Sequence, residues 1–366
     1  MKQQRYPGLD RLRILAAYFV VGIHLFALIG GLDSGAGLLS LANLLVYALV
    51  FCAVNCFGLL SGYLGYKEDG NGLRIAPLVL LWLQFVFYRV FFLLVPSLAG
   101  LCAPVSITDV FLPLTKRVNW YMSAYFEMML LAPALNLVIR HSSRGANALM
   151  CGVLFLVSVF STLLRAVLDC DPFLLGEGYN WMWLAVLYFW GASVRKHGWF
   201  QAVPRRTLWA ALVCALTLSA GWRFLMQRFF SPAALPGSTG KLFYSYPSPT
   251  IALAALCLLL LHARAGSMGR RGDALMKKAS SAALGVFLLH TTVWGWLIAP
   301  AAGLLSPLPQ KWAFVNVLLS ALVITALCIP VDLLRAWLFD RLGLRRLADQ
   351  AQGKIFALCA RLVSPK

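Results

Sequence analysis

Ten stretches of this chain are apolar for long enough to cross a lipid bilayer, which takes about 20 residues of helix. They run roughly 12–30, 43–64, 76–98, 119–139, 147–168, 180–195, 207–222, 249–263, 281–302 and 313–335. Hydrocarbon offers backbone amides no water, so each stretch must bond to itself as a helix. Hydrophobic residues make up 61% of the 366 and charged ones only 12%. Soluble domains carry about 25% charged residues, so a water-facing surface cannot be covered here. A soluble multidomain enzyme, a disordered chain and a disulfide scaffold are excluded. The sequence predicts an all-α integral membrane protein, a bundle of about ten transmembrane helices.

The net charge of +19 would suggest nucleic acid in a soluble protein. In a membrane protein it reads as the excess of basic residues in cytoplasmic loops. With the N-terminus inside, both termini and the cytoplasmic connections hold 24 of the 32 Lys and Arg residues. The opposite side holds 7, and Arg89 lies within a span. A miscounted span would reverse every later loop and spoil that bias. Both termini are therefore expected in the cytoplasm, with the lipid bilayer and not nucleic acid as the surrounding partner. The first stretch is too long for the apolar region of a signal peptide, and it carries His24 in its middle, so it reads as a retained helix. Residues 1–339 form one expected membrane domain. Residues 340–366 are expected to be a basic amphipathic tail on the cytoplasmic surface. Among nine cysteines there is no CxxC pair. Cys102 and Cys170 lie in or near outward connections, which leaves a disulfide in an oxidising compartment open.

Ionisable groups inside a span are costly and usually face a cavity or a partner. The best concentration is in residues 9–28, LDRLRILAAYFVVGIHLFAL. Asp10 is a candidate N-cap, with a carboxylate at the helix's positive end. Arg13 and His24 are eleven residues apart, about three turns, so both point the same way and lie about 16 Å apart along the axis. That suits an elongated substrate, anionic at the mouth and reactive at its tip, such as a coenzyme A thioester. Arg13 would hold phosphate and His24 would serve as general base toward a hydroxyl. Each also has a purely structural reading, as an interfacial anchor and as an interhelical hydrogen bond. A proton-coupled transporter could use the same pair. A pair between Arg89 and Glu127 across two spans is the structural reading of both. Ser61 and His290 have packing readings beside functional ones. The five histidines show no metal-ligand spacing, and there is no GxSxG elbow.

The run LDRLRILAAYFVVGIH resembles the opening of acyltransferase family 3, the bacterial membrane O-acyltransferases, whose mark is an Arg, ten residues, then a His. Companion segments follow in family order over about 9–339. FGLLSGYL (57–64) is similar to the family's SGF/YL segment. NWYMSAYFEMMLLAPALN (119–136) resembles its WFxxxY segment, through Trp120, Tyr121, Tyr125, Pro133 and Asn136. GYNWMWLAVLYFWGASVRKHG, SSAALGVFLLHTTV and VDLLRAWLF resemble later blocks. Met129 and Asn119 stand where the family pattern has Tyr, and Glu127 occupies an apolar position. The chain resembles the stand-alone type, without a fused esterase-like domain.

The resemblance implies transfer of an acyl group, most often acetyl, from cytoplasmic acyl-CoA to a hydroxyl of a cell-surface or lipid-linked glycan. It places the chain in the bacterial cytoplasmic (inner) membrane. Acetyl-CoA is a co-substrate; no permanently bound cofactor and no metal is expected. The expected catalytic residues are His24, Arg13 and Asp10. Candidate substrate contacts are Arg74, Ser61, Tyr63, Tyr88, Trp120, Tyr125, Glu127, Tyr179, Trp183 and His290. The alternative is a transporter or flippase for a lipid-linked glycan or small solute.

Overall fold

The computed structural model describes residues 6–33, 37–68, 75–230 and 239–363. Among these residues every regular element is helical. In chain order the α-helices are α1 (Pro7–Ile29), α2 (Leu38–Phe51), α3 (Ala53–Gly65), α4 (Ile75–Arg89), α5 (Val95–Leu98), α6 (Ile107–Phe111), α7 (Trp120–His141) and α8 (Arg144–Leu168). They continue as α9 (Trp181–His197), α10 (Arg205–Phe229), α11 (Pro249–Ala263), α12 (Gly269–Ser281), α13 (Ala283–Thr292), α14 (Ala302–Leu305), α15 (Ala313–Arg341) and α16 (Leu344–Val363). Among the described residues, seven continuous helical runs are long and apolar enough to cross a membrane: α1, α2 with α3, Ile75–Leu98, α7, α8, α10 and Gln310–Arg341. Helices α11 and α13 are shorter apolar helices. The chain is a multi-pass, all-helical membrane protein.

Helix α1 sits at the centre. It packs against α2, α3, α11, α12, α13, α14 and α15, and Leu12, Ala16, Ala17, Val21 and Leu25 are fully buried. An ordinary surface helix buries one stripe; α1 is apolar on most sides because it meets helices on most sides. It begins at Pro7 with Tyr6 as its N-cap. Proline's fixed φ suits the first helical position, so the helix starts a turn earlier than a cap at Asp10 would allow. Asp10 is instead inside the first turn, where it accepts a hydrogen bond from Ser280 Oγ at 3.0 Å.

Lipid gives helices no hydrophobic reason to associate with one another, so close packing of small residues does the work. Helices α3 and α9 cross where both are reduced to glycine. A Cβ on Gly62 would lie 1.9 Å from the Tyr188 carbonyl oxygen, and one on Gly191 would lie 2.1 Å from that of Leu59. The two backbones therefore touch.

Two irregularities were not legible in the apolar pattern. Helix α4 passes into a π-helical turn, Val90–Leu94, before α5. Helix α13 is followed by a second one, Trp294–Ile298. The two turns meet, because Trp296 Nε1 donates to the Phe92 carbonyl at 3.0 Å. A π-turn offsets the i→i−4 ladder and exposes a carbonyl, and the indole fills that demand. The stretch read as one span over 281–302 is thus the ten-residue α13 followed by a π-turn.

Helix α16 does not hang free of the bundle. It packs against α4 and α15, and Gln352 Oε1 accepts from the Ala76 amide at 3.0 Å. That amide is one of the unpaired donors at the start of α4. Cys102 and Cys170 are both free thiols, so the disulfide left open by the sequence is absent.

Replacing Gly62 or Gly191 by Val is expected to cost about 3 kcal/mol or more, the upper range for overpacking. Thermal unfolding of the detergent-solubilised variants, compared with a Gly152→Val control in open space, checks this.

Candidate active site

Arg13 and His24 line one cavity of about 530 Å³. The eleven-residue spacing therefore does place both on one face of α1. At one end the wall consists of Arg13 near the start of α1, Gly65 at the end of α3 and Pro77 near the start of α4. At the other end it consists of Asn119 and Trp120, which open α7, and Tyr246. His24, Tyr121, Phe287 and Thr291 lie along the wall between.

Asn119 accepts from the Met122 amide at 3.4 Å. It is the N-cap of α7, which explains an asparagine at this position, since capping favours a short polar side chain. Tyr121 stacks on Tyr125 at 5.9 Å and meets Phe287 edge-on at 5.3 Å. Trp120 contacts Tyr179 at 4.8 Å and Tyr246 at 6.0 Å. The far end of the cavity is thus walled by aromatic rings. Of the three departures from the expected pattern, Met129 and Asn119 belong to the cavity wall and Glu127 does not.

Two histidines, His24 of α1 and His290 of α13, meet. His24 Nδ1 is 2.8 Å from His290 Nε2, and the rings lie 5.0 Å apart. His290 is fully buried and its Nδ1 lies 2.6 Å from the Val286 carbonyl. The Trp294 indole packs edge-on against His24 at 5.6 Å. The ring of His24 reaches the cavity, while His290 stands behind it.

Of the other candidates, Ser61, Trp120 and Tyr125 line the cavity. Ser61 Oγ donates to the Phe57 carbonyl at 2.7 Å within its own helix. Tyr179 belongs to the aromatic cluster beside Trp120 and is 45% exposed. Arg74 lies outside the described residues.

Four candidates are engaged elsewhere. Tyr63 packs edge-on against Tyr6, and the Arg195 guanidinium lies 5.3 Å from its ring centre. Trp183 is fully buried and donates through Nε1 to Asn55 Oδ1 at 2.9 Å. Asn55 in turn donates to the Tyr246 carbonyl at 2.8 Å. Tyr88 donates to Asp332 Oδ1 at 2.6 Å, a buried oxygen that also receives Gln84 at 2.9 Å and Arg335 at 2.7 Å. Glu127 pairs with Arg117 at 2.7 Å, not with Arg89. The reason is packing, for α7 lies along α9 and Arg117 folds back from the loop before α7. Arg89 is buried on α4 and interacts with Asp109 instead.

The sequence reading missed Asn55, Tyr246, Phe287 and Thr291. Asn55 had a usable signal, since it is a lone amide in an apolar run. Tyr246 had none: it lies in a polar connection, KLFYSYPSP, yet it is buried.

The family model for the acyltransferase domain of acyltransferase family 3 matches residues 6–332. The chain belongs to this acyltransferase family. The match begins before Pro7 and ends at Asp332, so it takes in both histidines, Arg13 and the whole cavity wall. No curated protein and no solved structure matches the chain. Membership in the family makes the protein a membrane acyltransferase in general terms.

Tyr88→Phe removes one bond to a buried carboxylate, and Trp183→Phe leaves the Asn55 carbonyl unpaired. Each is expected to lower stability by about 1–3 kcal/mol while leaving the KM of the substrates unchanged. Chemical unfolding and steady-state kinetics on the same preparations check both halves.

Proposed function

We propose that this acyltransferase takes an acyl group, acetyl in the first instance, from cytoplasmic acyl-CoA and delivers it to a hydroxyl of a cell-surface or lipid-linked glycan. The observation that carries this reading is the single cavity shared by Arg13 and His24. The thioester's phosphates meet Arg13 at the mouth, because guanidinium matches phosphate in shape and charge. The pantetheine arm runs along α1 and brings the carbonyl to His24, about 16 Å further along the helix axis. The acceptor enters from the opposite end, against Trp120, Tyr246 and Asn119. Aromatic faces there suit the apolar faces of sugar rings, and Asn119 and Tyr125 offer polar contacts.

In this reading the chain crosses the bacterial cytoplasmic membrane ten times with both termini inside. The excess of basic residues on the termini's side of the bundle supports that orientation. It also puts the Arg13 end of the cavity where acyl-CoA is made. His24 removes the proton from the acceptor hydroxyl as the oxygen attacks the thioester carbonyl. The C–S bond breaks, and the thiolate of CoA leaves with the proton that His24 has taken. General-base assistance of this kind contributes about 10²–10⁴-fold.

The test supplies radiolabelled acetyl-CoA and the host's surface glycan to membranes holding matched amounts of wild type, His24→Ala and Arg13→Ala. Label is expected in the glycan as a base-labile ester with wild type, and none above background with His24→Ala. Arg13→Ala is expected to raise the donor KM by tenfold or more, as loss of a hydrogen bond to a charged group costs about 1.5–3 kcal/mol. Equal labelling by all three proteins would remove helix α1 from the reaction.

A further inference from the structure

The contact between the two histidines determines more than their packing. A neutral imidazole has one N–H and one bare nitrogen. His290 Nδ1 lies 2.6 Å from the Val286 carbonyl, which has no proton to give. His290 must therefore carry its proton on Nδ1 and donate it there. Its Nε2 is then bare and can only accept. The nitrogen 2.8 Å away, His24 Nδ1, must supply the proton for that bond. His24 is left with a bare Nε2, the one ring nitrogen without a protein partner, on a ring that forms part of the cavity wall.

We propose that His290 is a positioning residue: its buried ring holds His24 in the Nδ1–H tautomer and so turns a basic Nε2 toward the substrates. The proposal rests on the acyl-transfer reading above and gives it a defined proton path. His24 Nε2 accepts the hydroxyl proton while the new C–O bond forms, and the same nitrogen returns that proton to the departing thiolate when the C–S bond breaks. Throughout, Nδ1 keeps its own proton and its bond to His290. During the imidazolium stage that bond runs from a charged donor, and such bonds are about twice as strong as neutral ones. His290 thus supports the charged intermediate without taking a proton itself. Its own orientation is set by the Val286 carbonyl, one turn back on α13. The wrong tautomer of His24 would point an N–H at the hydroxyl and could not act as base.

The test has one arm that needs no substrate. The chain has five histidines, so ¹⁵N-histidine labelling of the protein in nanodiscs gives a short spectrum, with His24 assigned by its loss in His24→Gln. Wild type is expected to show His24 neutral, with the proton on Nδ1. In His290→Phe, His24 is expected to become a mixture of both tautomers. In the second arm, His290→Phe is expected to lower kcat by about 10²-fold with little change in the donor KM. His290→Gln, which can present an amide oxygen where Nε2 was, is expected to recover most of that loss. A His24 ring protonated on Nε2 in wild type overturns the proposal. So does a tautomer unmoved by His290→Phe, or a His290→Phe enzyme with wild-type kcat. Absence of acyl transfer by wild type itself would sink the reaction reading, and the spectrum would show separately whether the tautomer assignment stands.

Discussion

A bundle in lipid has to satisfy its polar groups from within, and helix α1 is where that requirement is strictest. Seven other helices pack against it, and it carries Arg13 and His24 on the face that lines the cavity. A polar group left unpaired in that interior would cost several kcal/mol. The structure answers by opening a cavity along one face of α1 and backing His24 with a second histidine. Much of the surrounding architecture follows from that choice. Helix α13 must come close enough to place His290, and α7 must lean its aromatic first turn over the far end.

The basic residues at the N-terminal end of the bundle also bond to backbone carbonyls. Lys196 donates to three carbonyls at the end of α7, those of Ile139, Arg140 and Ser142, at 2.6, 3.0 and 2.8 Å. Arg264 and Arg11 instead bond loop carbonyls, those of Val203 between α9 and α10 and Gly266 between α11 and α12, each at 2.6 Å. The last carbonyls of a helix have no partner within it, and its C-terminal end is the negative pole of the dipole. A side chain counted as a topological signal is thus also the closing piece of a neighbouring helix. Charge asymmetry and fold stability use the same residues here.

The apolar stretches made the all-helical membrane class readable directly, and the Arg13–His24 spacing made a shared face readable from helical geometry alone. What the sequence did not disclose was partnership. Tyr88, Trp183 and Glu127 stood among the candidate substrate contacts. Each turned out to serve a neighbour: Asp332, Asn55 and Arg117. The identity of such partners depends on which helices touch, and periodicity within one helix carries no information about another. His290 is the counter-example that shows the limit. Its position in an apolar run was visible, but only the approach of α13 to α1 turned it from one polar side chain into half of a pair.

The two π-turns, joined by Trp296 and the Phe92 carbonyl, bear on how relatives of this chain should be compared. A π-turn is a helix that has taken in one extra residue. Beyond that point every side chain is rotated by about 100° relative to an uninterrupted helix. A relative that lacks the extra residue would keep the same helix in the same place, with its later residues facing the same neighbours. The correct alignment of two such chains then needs a one-residue gap in the middle of an apolar span, where alignments usually forbid one. Matching the two segments without a gap would leave every position on one side of the turn out of register, with neighbouring faces of the helix confused.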